Sequence, residues 1–400
     1  MSYLTADLPG TGGVIKETPE DFLVEEVPLY FPCGEGEHTY AVIEKRGMTT
    51  LEALRKIARA LRVPERDLGY AGMKDAVGVT RQTVSIPRVT PEQVLGLELP
   101  GVRVLSATPH RNKLRLGHLA GNRFRIRVRG VGSDALEAAG AMLDLLGRRG
   151  VPNFFGAQRY GLQGNSHLVG RALLQRDFRG AVDRIIGDPG AVQDGRWREA
   201  IEAYRQGELA ESVRLFPGHC RTEREIIQRL AGRPDAWEKA FHAVHPRLKK
   251  LYLSAFQSAL FDRVLAERLA GFDRVMAGDL AWKHDNGACF LVTDPAVEAP
   301  RAEAFQISPT GPIFGFRMSF PEGEPRLMEE ALLAGEGLTP ASFDLPGGLA
   351  MEGGRRPLRV PLEDPMAEME GDGLVLSFTL PRGAYATSVL REVMKTEGPG

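Results

Sequence analysis

The sequence predicts an α+β protein in which one mixed-sheet domain is interrupted by a largely helical insertion. Strand and helix patterns alternate before Gly161 without the regular strand–helix–strand repeat of a parallel sheet. Helical patterns then dominate from Ser166 to Leu269, and strand-like alternation returns at Leu374–Leu380. The length of 400 residues is consistent with about two to three domains.

Several segments before Gly161 have the alternating or β-branched pattern of strands. They are residues 13–17, 22–27, 39–45, 82–86, 102–108 and 124–128. The last of these places Phe124, Ile126 and Val128 on one face and arginines on the other, because side chains alternate along a strand. The glycine-rich stretch of residues 69–80 predicts an irregular loop.

Helices are predicted where end signals flank apolar residues at helical spacing. Thr49-Thr-Leu-Glu52 is a capping box that begins a helix, and Pro64 ends it. Further helices are predicted over residues 134–146 and 384–395. Residues 296–348 are rich in Pro and Gly and predict no defined element.

Composition excludes several classes of protein. With 43% hydrophobic and 26% charged residues, the chain is too apolar to be disordered. No uncharged apolar run reaches the ~18–20 residues of a membrane-spanning helix, and the start of the chain lacks the pattern of a signal peptide. Three widely spaced cysteines predict a reducing compartment, so we expect a cytoplasmic protein without a disulfide framework.

Charge is distributed unevenly, although the formal net charge is only −1. Residues 1–50 contain nine acidic and three basic residues, whereas residues 101–130 contain eight Lys or Arg and no Asp or Glu. A basic stretch with an interleaved aromatic residue is typical of RNA binding. The alternative is a solvated basic strand face with Phe124 in the core. The loop of residues 151–161 is likewise either an RNA contact or an aromatic domain junction.

Common cofactor motifs are missing from the sequence. It contains no G-x-x-x-x-G-K-[ST] loop, no G-x-G-x-x-G between a strand and a helix, and no G-x-S-x-G turn. No second ligand pair accompanies His219-Cys220, or His242 and His245, at zinc-site spacing. We therefore expect no ATP, dinucleotide or metal cofactor.

The densest candidate for chemistry is the glycine-rich loop around Asp75. Its sequence, Gly69-Tyr-Ala-Gly-Met-Lys-Asp75, places a Lys-Asp pair among small and apolar residues. A carboxylate in such surroundings needs a cation or hydrogen-bond donors to stay ionised, and it can then act as a base or a nucleophile. The alternative is a turn with a salt-bridged aspartate.

Seven segments, taken in order, resemble the TruD family of tRNA pseudouridine synthases. They are residues 10–22 (GTGGVIK and PEDF), 34–38 (GEGEH), 71–82 (AGMKD, then Thr80 and Gln82), 113–124 (KLRLGHLAGNRF), 151–161 (VPNFFGAQRYG), 253–261 (LSAFQSALF) and 383–392 (GAYATSVLRE). One such segment would be weak evidence, but seven in order across most of the chain are specific.

The resemblance implies an enzyme of two parts. One is a pseudouridine-synthase catalytic fold on a mixed, mostly antiparallel sheet, and the other is an inserted, largely helical α/β domain. We expect the catalytic domain at residues 1–152, the insertion at 153–354 and the closing catalytic segment at 355–400. Compared with shorter family members, the chain has extra sequence near residues 178–245 and 296–350.

The resemblance also implies roles for individual residues. Asp75 matches the catalytic aspartate, and Lys16 matches a basic residue that faces it, with Lys74 a second candidate for that cation. The residues that match the uracil pocket are Phe22, Asn122 and Phe124. The residues expected to hold the RNA backbone are Arg123, Arg125, Arg127, Arg129, Arg355 and Arg356. The implied reaction is cofactor-free conversion of a tRNA uridine, uridine 13, to pseudouridine by a monomer with no membrane or protein partner.

Other functions stay open when the residues are considered without the resemblance. A non-catalytic structured-RNA-binding protein would share the basic strand and the aromatic residues, but it would not need an aspartate in a glycine-rich bend. A different tRNA-modifying enzyme, such as a methyltransferase, needs a glycine-rich adenosine loop that the sequence lacks. A small-molecule enzyme of mixed α/β type has no use for the acid-free basic stretch.

Overall fold

Strands and helices occur throughout residues 3–396, which a computed structural model describes. The strands are β1 (Phe22–Pro28), β2 (His38–Arg46), β3 (Gly69–Tyr70), β4 (Val79–Pro87), β5 (Val102–His110), β6 (Leu119–Val128), β7 (Val151–Pro152), β8 (Leu280–Lys283), β9 (Cys289–Leu291), β10 (Ile307–Ile313), β11 (Gly354–Pro357), β12 (Arg359–Val360), β13 (Glu363–Glu370) and β14 (Gly373–Pro381). The helices are α1 (Thr50–Leu61), α2 (Pro91–Leu95), α3 (Ala135–Arg149), α4 (Ser166–Leu174), α5 (Phe178–Ile186), α6 (Gly195–Arg205), α7 (Leu209–Leu215), α8 (Arg221–Gly232), α9 (Trp237–Phe241), α10 (Pro246–Arg268), α11 (Pro295–Glu303), α12 (Gly323–Gly335) and α13 (Ala386–Met394).

The chain divides into two units. One unit, which we call the sheet unit, comprises Tyr3–Val151 together with residues 360–396. The other, which we call the helical unit, is Pro152–Arg359. The sequence analysis placed the end of the insertion at residue 354, whereas β11 (Gly354–Pro357) is a strand of the helical unit.

The sheet unit is built on an eight-stranded sheet. Its order is β13-β14-β6-β1-β4-β2-β5, with β3 paired to β4. β1 and β4 run parallel, and the other neighbours are antiparallel. The expected mixed, mostly antiparallel sheet is thus confirmed.

One face of this sheet carries the two larger hydrophobic cores of the unit. Val24 of β1 lies beside Phe124 of β6 and Thr80 of β4, so even-numbered residues of these strands share the face. Helices α3 and α13 cover the half with β6 and β14, and α1 covers the half with β2 and β4. Between the two cores lie buried polar side chains that we call the polar strip: Glu26, Lys45, Thr80 and Gln82.

The helical unit contains α4 to α12 and has a large hydrophobic core of its own. It also has a four-stranded antiparallel sheet in the order β11-β10-β8-β9. The sequence pattern does not predict this sheet. β10 is almost entirely buried but contains two prolines and a glycine, which are typical of loops.

Most elements predicted for the sheet unit are confirmed, including the capping box of Thr49 and Glu52 at the start of α1. The strand predicted at residues 13–17 is wrong, because Val14 makes an isolated bridge to Arg129 and Lys16 is left-handed, with a φ of 62°. The acidic strand β13 was missed, because its charged residues do not have a strand pattern. None of the helices within residues 3–396 is both long and apolar enough to cross a membrane.

Candidate active site

Asp75 lies in the loop between β3 and β4, against the face of the sheet that carries the polar strip. Its Oδ2 accepts a hydrogen bond from Lys16 Nζ at 2.8 Å, and its Oδ1 accepts one from the backbone N of Val77 at 3.1 Å. The Asp75 side chain is 21% exposed. The carboxylate is therefore held at both oxygens while part of it stays reachable from solvent.

Aromatic side chains form a wall next to this carboxylate. Lys16 Nζ lies 4.4 Å from the ring centroid of Phe22, and the Phe22 and Phe124 rings pack edge to face with centroids 6.4 Å apart. Both rings are almost fully buried. Asn122 lies two residues before Phe124 on β6, so it shares the same face. The structure thus places on one face all five residues that the resemblance assigned to catalysis and uracil binding.

Some buried polar atoms on this face of the sheet have no hydrogen-bond partner in the described part of the chain. They include Thr80 Oγ1, Gln82 Nε2 and Asn122 Oδ1. Leaving a buried polar atom unpaired costs about 1–3 kcal/mol, so each one in a native protein calls for an explanation such as a binding role. The Asn122 amide can both donate and accept, which suits an edge of a uracil ring.

The loop is tied down from its buried side by a residue that the sequence analysis missed. Lys45 Nζ donates to the backbone carbonyl of Asp75 at 2.7 Å and to that of Met48 at 2.6 Å. Burial lowers the pKa of Lys45 to about 8. The sequence does indicate that Lys45 is buried, through its spacing. Lys45 is in phase with the apolar Ala41 and Ile43 along β2 and so belongs to the core face.

Lys74 has a different partner from the one considered in the sequence analysis. Its Nζ lies 2.8 Å from Glu26 Oε2 in an ion pair whose side chains are 5% and 2% exposed, so Lys16 alone of these two lysines pairs with Asp75. The backbone N of Lys74 donates to Thr50 Oγ1 at 2.9 Å, and Thr50 Oγ1 donates to Gln82 Oε1 at 2.9 Å. Side chains of α1 and β1 therefore fix the residue before Asp75.

The loop passes very close to β1 where it enters β4. A Cβ atom on Gly78 would lie 2.6 Å from the carbonyl oxygen of Phe22, which is too short for a real contact. Only glycine allows this approach without a shift of the backbone. At the other end of the loop, the backbone N of Gly117 donates to the carbonyl of Ala71 at 2.8 Å.

Comparison with known proteins places this geometry in a family. The family model described as tRNA pseudouridine synthase D (TruD) matches residues 1–393. The chain belongs to the TruD family. Its relatives named tRNA pseudouridine synthase D include that of Geobacter sulfurreducens, 71% identical over 398 residues (100% of this chain and 98% of the relative), and that of Geobacter metallireducens, 71% identical over 397 residues (99% and 98%). A solved structure assigned as TruD from Methanosarcina mazei has a TM-score of 0.86 at 27% identity and covers 99% of this chain and 96% of that one.

Membership of the TruD family confirms three predictions made from the sequence. These are the family resemblance itself, the α+β fold, and the enzyme class of tRNA pseudouridine synthase. The roles of individual residues, the position of the uridine and the domain assignments are not decided by these comparisons and stay predictions.

The arginines Arg123, Arg125 and Arg127 of β6 do not lie on the face of the sheet that carries the candidate site. Arg123, Arg125 and Arg127 alternate with the buried apolar residues of the strand and so point to the opposite face of the sheet from Asp75. Arg125 and Arg127 both pair with Glu370 on β13, whereas Arg123 is exposed. The structure therefore places these three arginines on the other face from Asp75, and their expected contact with an RNA backbone stays a prediction.

Arg129 is also engaged within the sheet unit. Its Nη2 lies 2.7 Å from Oδ1 of the buried Asp21, and this hydrogen bond holds the pKa of Asp21 below its usual value. Arg129 also pairs through its backbone with Val14, two residues before Lys16. These contacts support the segment that presents Lys16, and the expected RNA contact of Arg129 stays a prediction.

Arg355 and Arg356 lie in the helical unit and are likewise occupied. Arg355 is 5% exposed and makes two hydrogen bonds to Glu329, at 2.7 and 2.8 Å. Arg356 donates to the carbonyl of Asn153 at 3.3 Å and lies 4.3 Å over the ring of Phe155. The contacts of Arg355 hold it against Glu329, and those of Arg356 hold the start of the 153–161 loop. The RNA contact expected of both arginines stays a prediction.

Proposed function

We propose that this chain converts a uridine of tRNA, uridine 13, to pseudouridine, with Asp75 as the catalytic residue. The observation that carries the proposal is the Asp75 carboxylate, held by Lys16 beside the Phe22–Phe124 wall and partly exposed. The relatives of this chain are named for the same enzyme class and for tRNA. In this proposal the sheet unit is the catalytic domain and the helical unit is the inserted domain.

The reaction is an isomerisation whose atoms balance without a co-reactant. The bond between uracil N1 and ribose C1′ breaks, the detached base turns, and C5 bonds to C1′ while C5 loses a proton and N1 gains one. The ionised Asp75 either attacks C1′ or removes the C2′ proton, and both routes need one reachable carboxylate. Lys16 stabilises that charged carboxylate from 2.8 Å.

The target uridine must leave its stack to reach Asp75, which costs about a few kcal/mol. Contact with the aromatic wall of Phe22 and Phe124 offsets part of this cost. The unpaired Oδ1 of Asn122 accepts a hydrogen bond from the N3–H group of uracil. Buried apolar walls also exclude water, so the detached base is retained while it turns.

The partner in this proposal is tRNA, bound over the face of the sheet unit that carries Asp75. The monomeric state and the cytoplasmic location stay predictions from the sequence.

The proposal is tested by substituting the carboxylate. Asp75→Asn and Asp75→Ala are expected to abolish pseudouridine formation while tRNA affinity stays within about 10-fold of wild type, because the substitutions remove the reacting group and little of the binding surface. Pseudouridine is mapped in tRNA before and after incubation with the purified protein, and turnover is followed by tritium release from C5-labelled uridine. Asp144→Asn, on the exposed side of α3, is the control and should turn over normally.

Each part of the proposal has its own contradicting outcome. Substantial turnover by Asp75→Ala would contradict the catalytic role of Asp75. Tight tRNA binding without turnover by the wild-type protein would favour a non-catalytic RNA-binding function. Modification of a different uridine would correct the position and leave the reaction class in place.

A further inference from the structure

Lys45 is a fully buried lysine whose charge has no carboxylate partner. Its side chain is 0% exposed, and within residues 3–396 no Asp or Glu oxygen lies within 4.0 Å of its Nζ. Both of its hydrogen bonds end on backbone carbonyls, those of Met48 and Asp75. Lysine is rarely buried without a charged partner, because desolvating an ammonium group is costly. Packing alone therefore does not account for a lysine at this position.

We propose that Lys45 is a positioning residue for Asp75, fixing the backbone of the reacting residue from the buried side of its loop. The inference rests on the proposed function, since it gives Lys45 a part in the reaction of Asp75. The enclosed Lys45 side chain cannot touch an RNA substrate and acts through the Asp75 carbonyl.

The Lys45 contact joins the loop to a rigid reference point. Met48, whose carbonyl also accepts from Lys45, directly precedes Thr49, the residue that caps α1. The same ammonium thus ties the start of α1 to the backbone of Asp75. Because Lys45 is paired with both β4 and β5 near the end of β2, its backbone is fixed within the sheet.

A second anchor holds the residue before Asp75. The Lys74 backbone N donates to Thr50 Oγ1 at 2.9 Å, and the Lys74 side chain forms the buried ion pair with Glu26. Thr50 is itself 0% exposed and stands at the first turn of α1. Two consecutive loop residues are therefore fixed through their backbone, which leaves the Asp75 carboxylate free to be oriented by Lys16.

Positioning of this kind is expected to affect turnover more than binding. A reacting group displaced by about 1 Å can lose about 100-fold in rate, while contacts to the rest of a large substrate are unchanged. The bond from Lys16 does not replace Lys45, because Lys16 holds the carboxylate and lets it follow any shift of the loop backbone.

The first test is Lys45→Met, which keeps the length and volume of the side chain and removes the ammonium group. We expect kcat to fall about 100-fold while KM and the Kd for tRNA stay within about 3-fold of wild type. Lys56→Met is the matched control, because Lys56 lies on the exposed side of α1 and its Nζ also donates to a backbone carbonyl, that of Pro100. The control should keep wild-type kcat.

A second pair of variants keeps the test decisive if Lys45→Met does not fold. Thr50→Val removes the hydroxyl that anchors Lys74, whereas Thr50→Ser keeps it. We expect kcat to fall with valine and to be restored with serine. Amide hydrogen exchange on the free, full-length protein is measured in parallel, and residues 71–77 should exchange faster in Lys45→Met and Thr50→Val than in wild type.

The outcomes separate this inference from the proposed function. A wild-type protein that forms pseudouridine, with Lys45→Met and Thr50→Val at wild-type kcat, overturns the positioning role and leaves the function standing. Unchanged exchange of residues 71–77 in both variants also overturns it, whether or not the wild type turns over. A fall in kcat with KM preserved and loop exchange accelerated supports it. A wild type without turnover overturns the proposed function.

Discussion

Two buried arginines of the helical unit and the buried Lys45 of the sheet unit are satisfied in different ways. In the helical unit, Arg355 pairs with Glu329 and Arg268 pairs with Asp279, with each side chain at most 5% exposed. In the sheet unit, the buried ammonium of Lys45 ends on the carbonyls of a loop. Both arrangements satisfy a buried cation, but the first joins two fixed elements and the second holds a segment that carries a reactive group.

This difference separates charges that stabilise architecture from charges that orient a site. A bidentate Arg–carboxylate pair is closed in charge, since each partner neutralises the other. Removing one partner leaves an uncompensated buried charge, which is strongly destabilising. A lysine that donates to loop carbonyls leaves no charge behind when it is replaced, so its loss should appear in the geometry of the loop before it appears in the stability of the fold.

The largest effect that would sharpen this comparison is expected for Arg355→Ala. The substitution leaves the Glu329 carboxylate buried without its cation. Burial already raises the pKa of Glu329. We expect the free energy of unfolding to fall by about 3–5 kcal/mol. Urea denaturation of the purified protein at neutral pH measures this fall in the free energy of unfolding, in the transition in which the helical unit unfolds.

The control for Arg355→Ala is Arg326→Ala, which breaks the exposed pair of Arg326 and Glu330 on α12. Such surface pairs contribute about 0–1 kcal/mol, so this variant should unfold close to wild type. A loss below about 1 kcal/mol for Arg355→Ala would mean that the pair is not the closed structural contact described above.

The sequence predicted much of the site because its residues stand in short, distinctive segments. Asp75 was found from the glycines and the Lys-Asp pair around it, and Phe22, Asn122 and Phe124 lie on regular strands whose register follows from alternation. The partner of Asp75 was also named, although Lys16 was placed on a strand that does not form. Local patterns thus located the reactive group and its immediate neighbours.

The sequence did not predict contacts that depend on distant pairing. Lys45 is 30 residues from Asp75 in the sequence. No local pattern at either residue predicts that the β2–β4 register brings them together. The pairing of Arg355 with Glu329 was not predicted either, because it depends on how α12 packs beside β10 and β11. The arginines of β6 were recognised as one face, but which face carries Asp75 is decided only by the sheet as a whole.

A smaller effect that could break the comparison is the pH dependence that Lys45 adds to stability. Burial lowers the pKa of Lys45 from 10.5 in the unfolded chain to about 8. The charges of Asp75 and Glu52 raise this pKa by smaller amounts, and the charge of Lys74 lowers it. Between these values the unfolded state binds more protons than the folded state, so unfolding free energy rises with pH. We expect a rise of up to about 3 kcal/mol from pH 8 to pH 10.5, taken as wild type minus Lys45→Met. A flat difference would mean that the ammonium is not desolvated as its burial indicates.

The smallest effect concerns exposed charge and follows from the two faces of the sheet. Arg115 and Arg123 come from the same acid-free stretch and are both exposed, but Arg115 lies in the turn whose Gly117 bonds to Ala71 of the Asp75 loop, whereas Arg123 points to the opposite face. If tRNA covers the face that carries Asp75, Arg115→Ala should weaken its affinity about 3- to 10-fold and reduce the salt slope of binding by about 1. Arg123→Ala removes the same charge and should change affinity less than about 2-fold, because at physiological ionic strength salt screens a charge that lies away from the bound RNA. Filter binding across a salt series measures the affinity and the salt slope of each variant. Equal losses of affinity for the two variants would mean that RNA contacts both faces of the sheet.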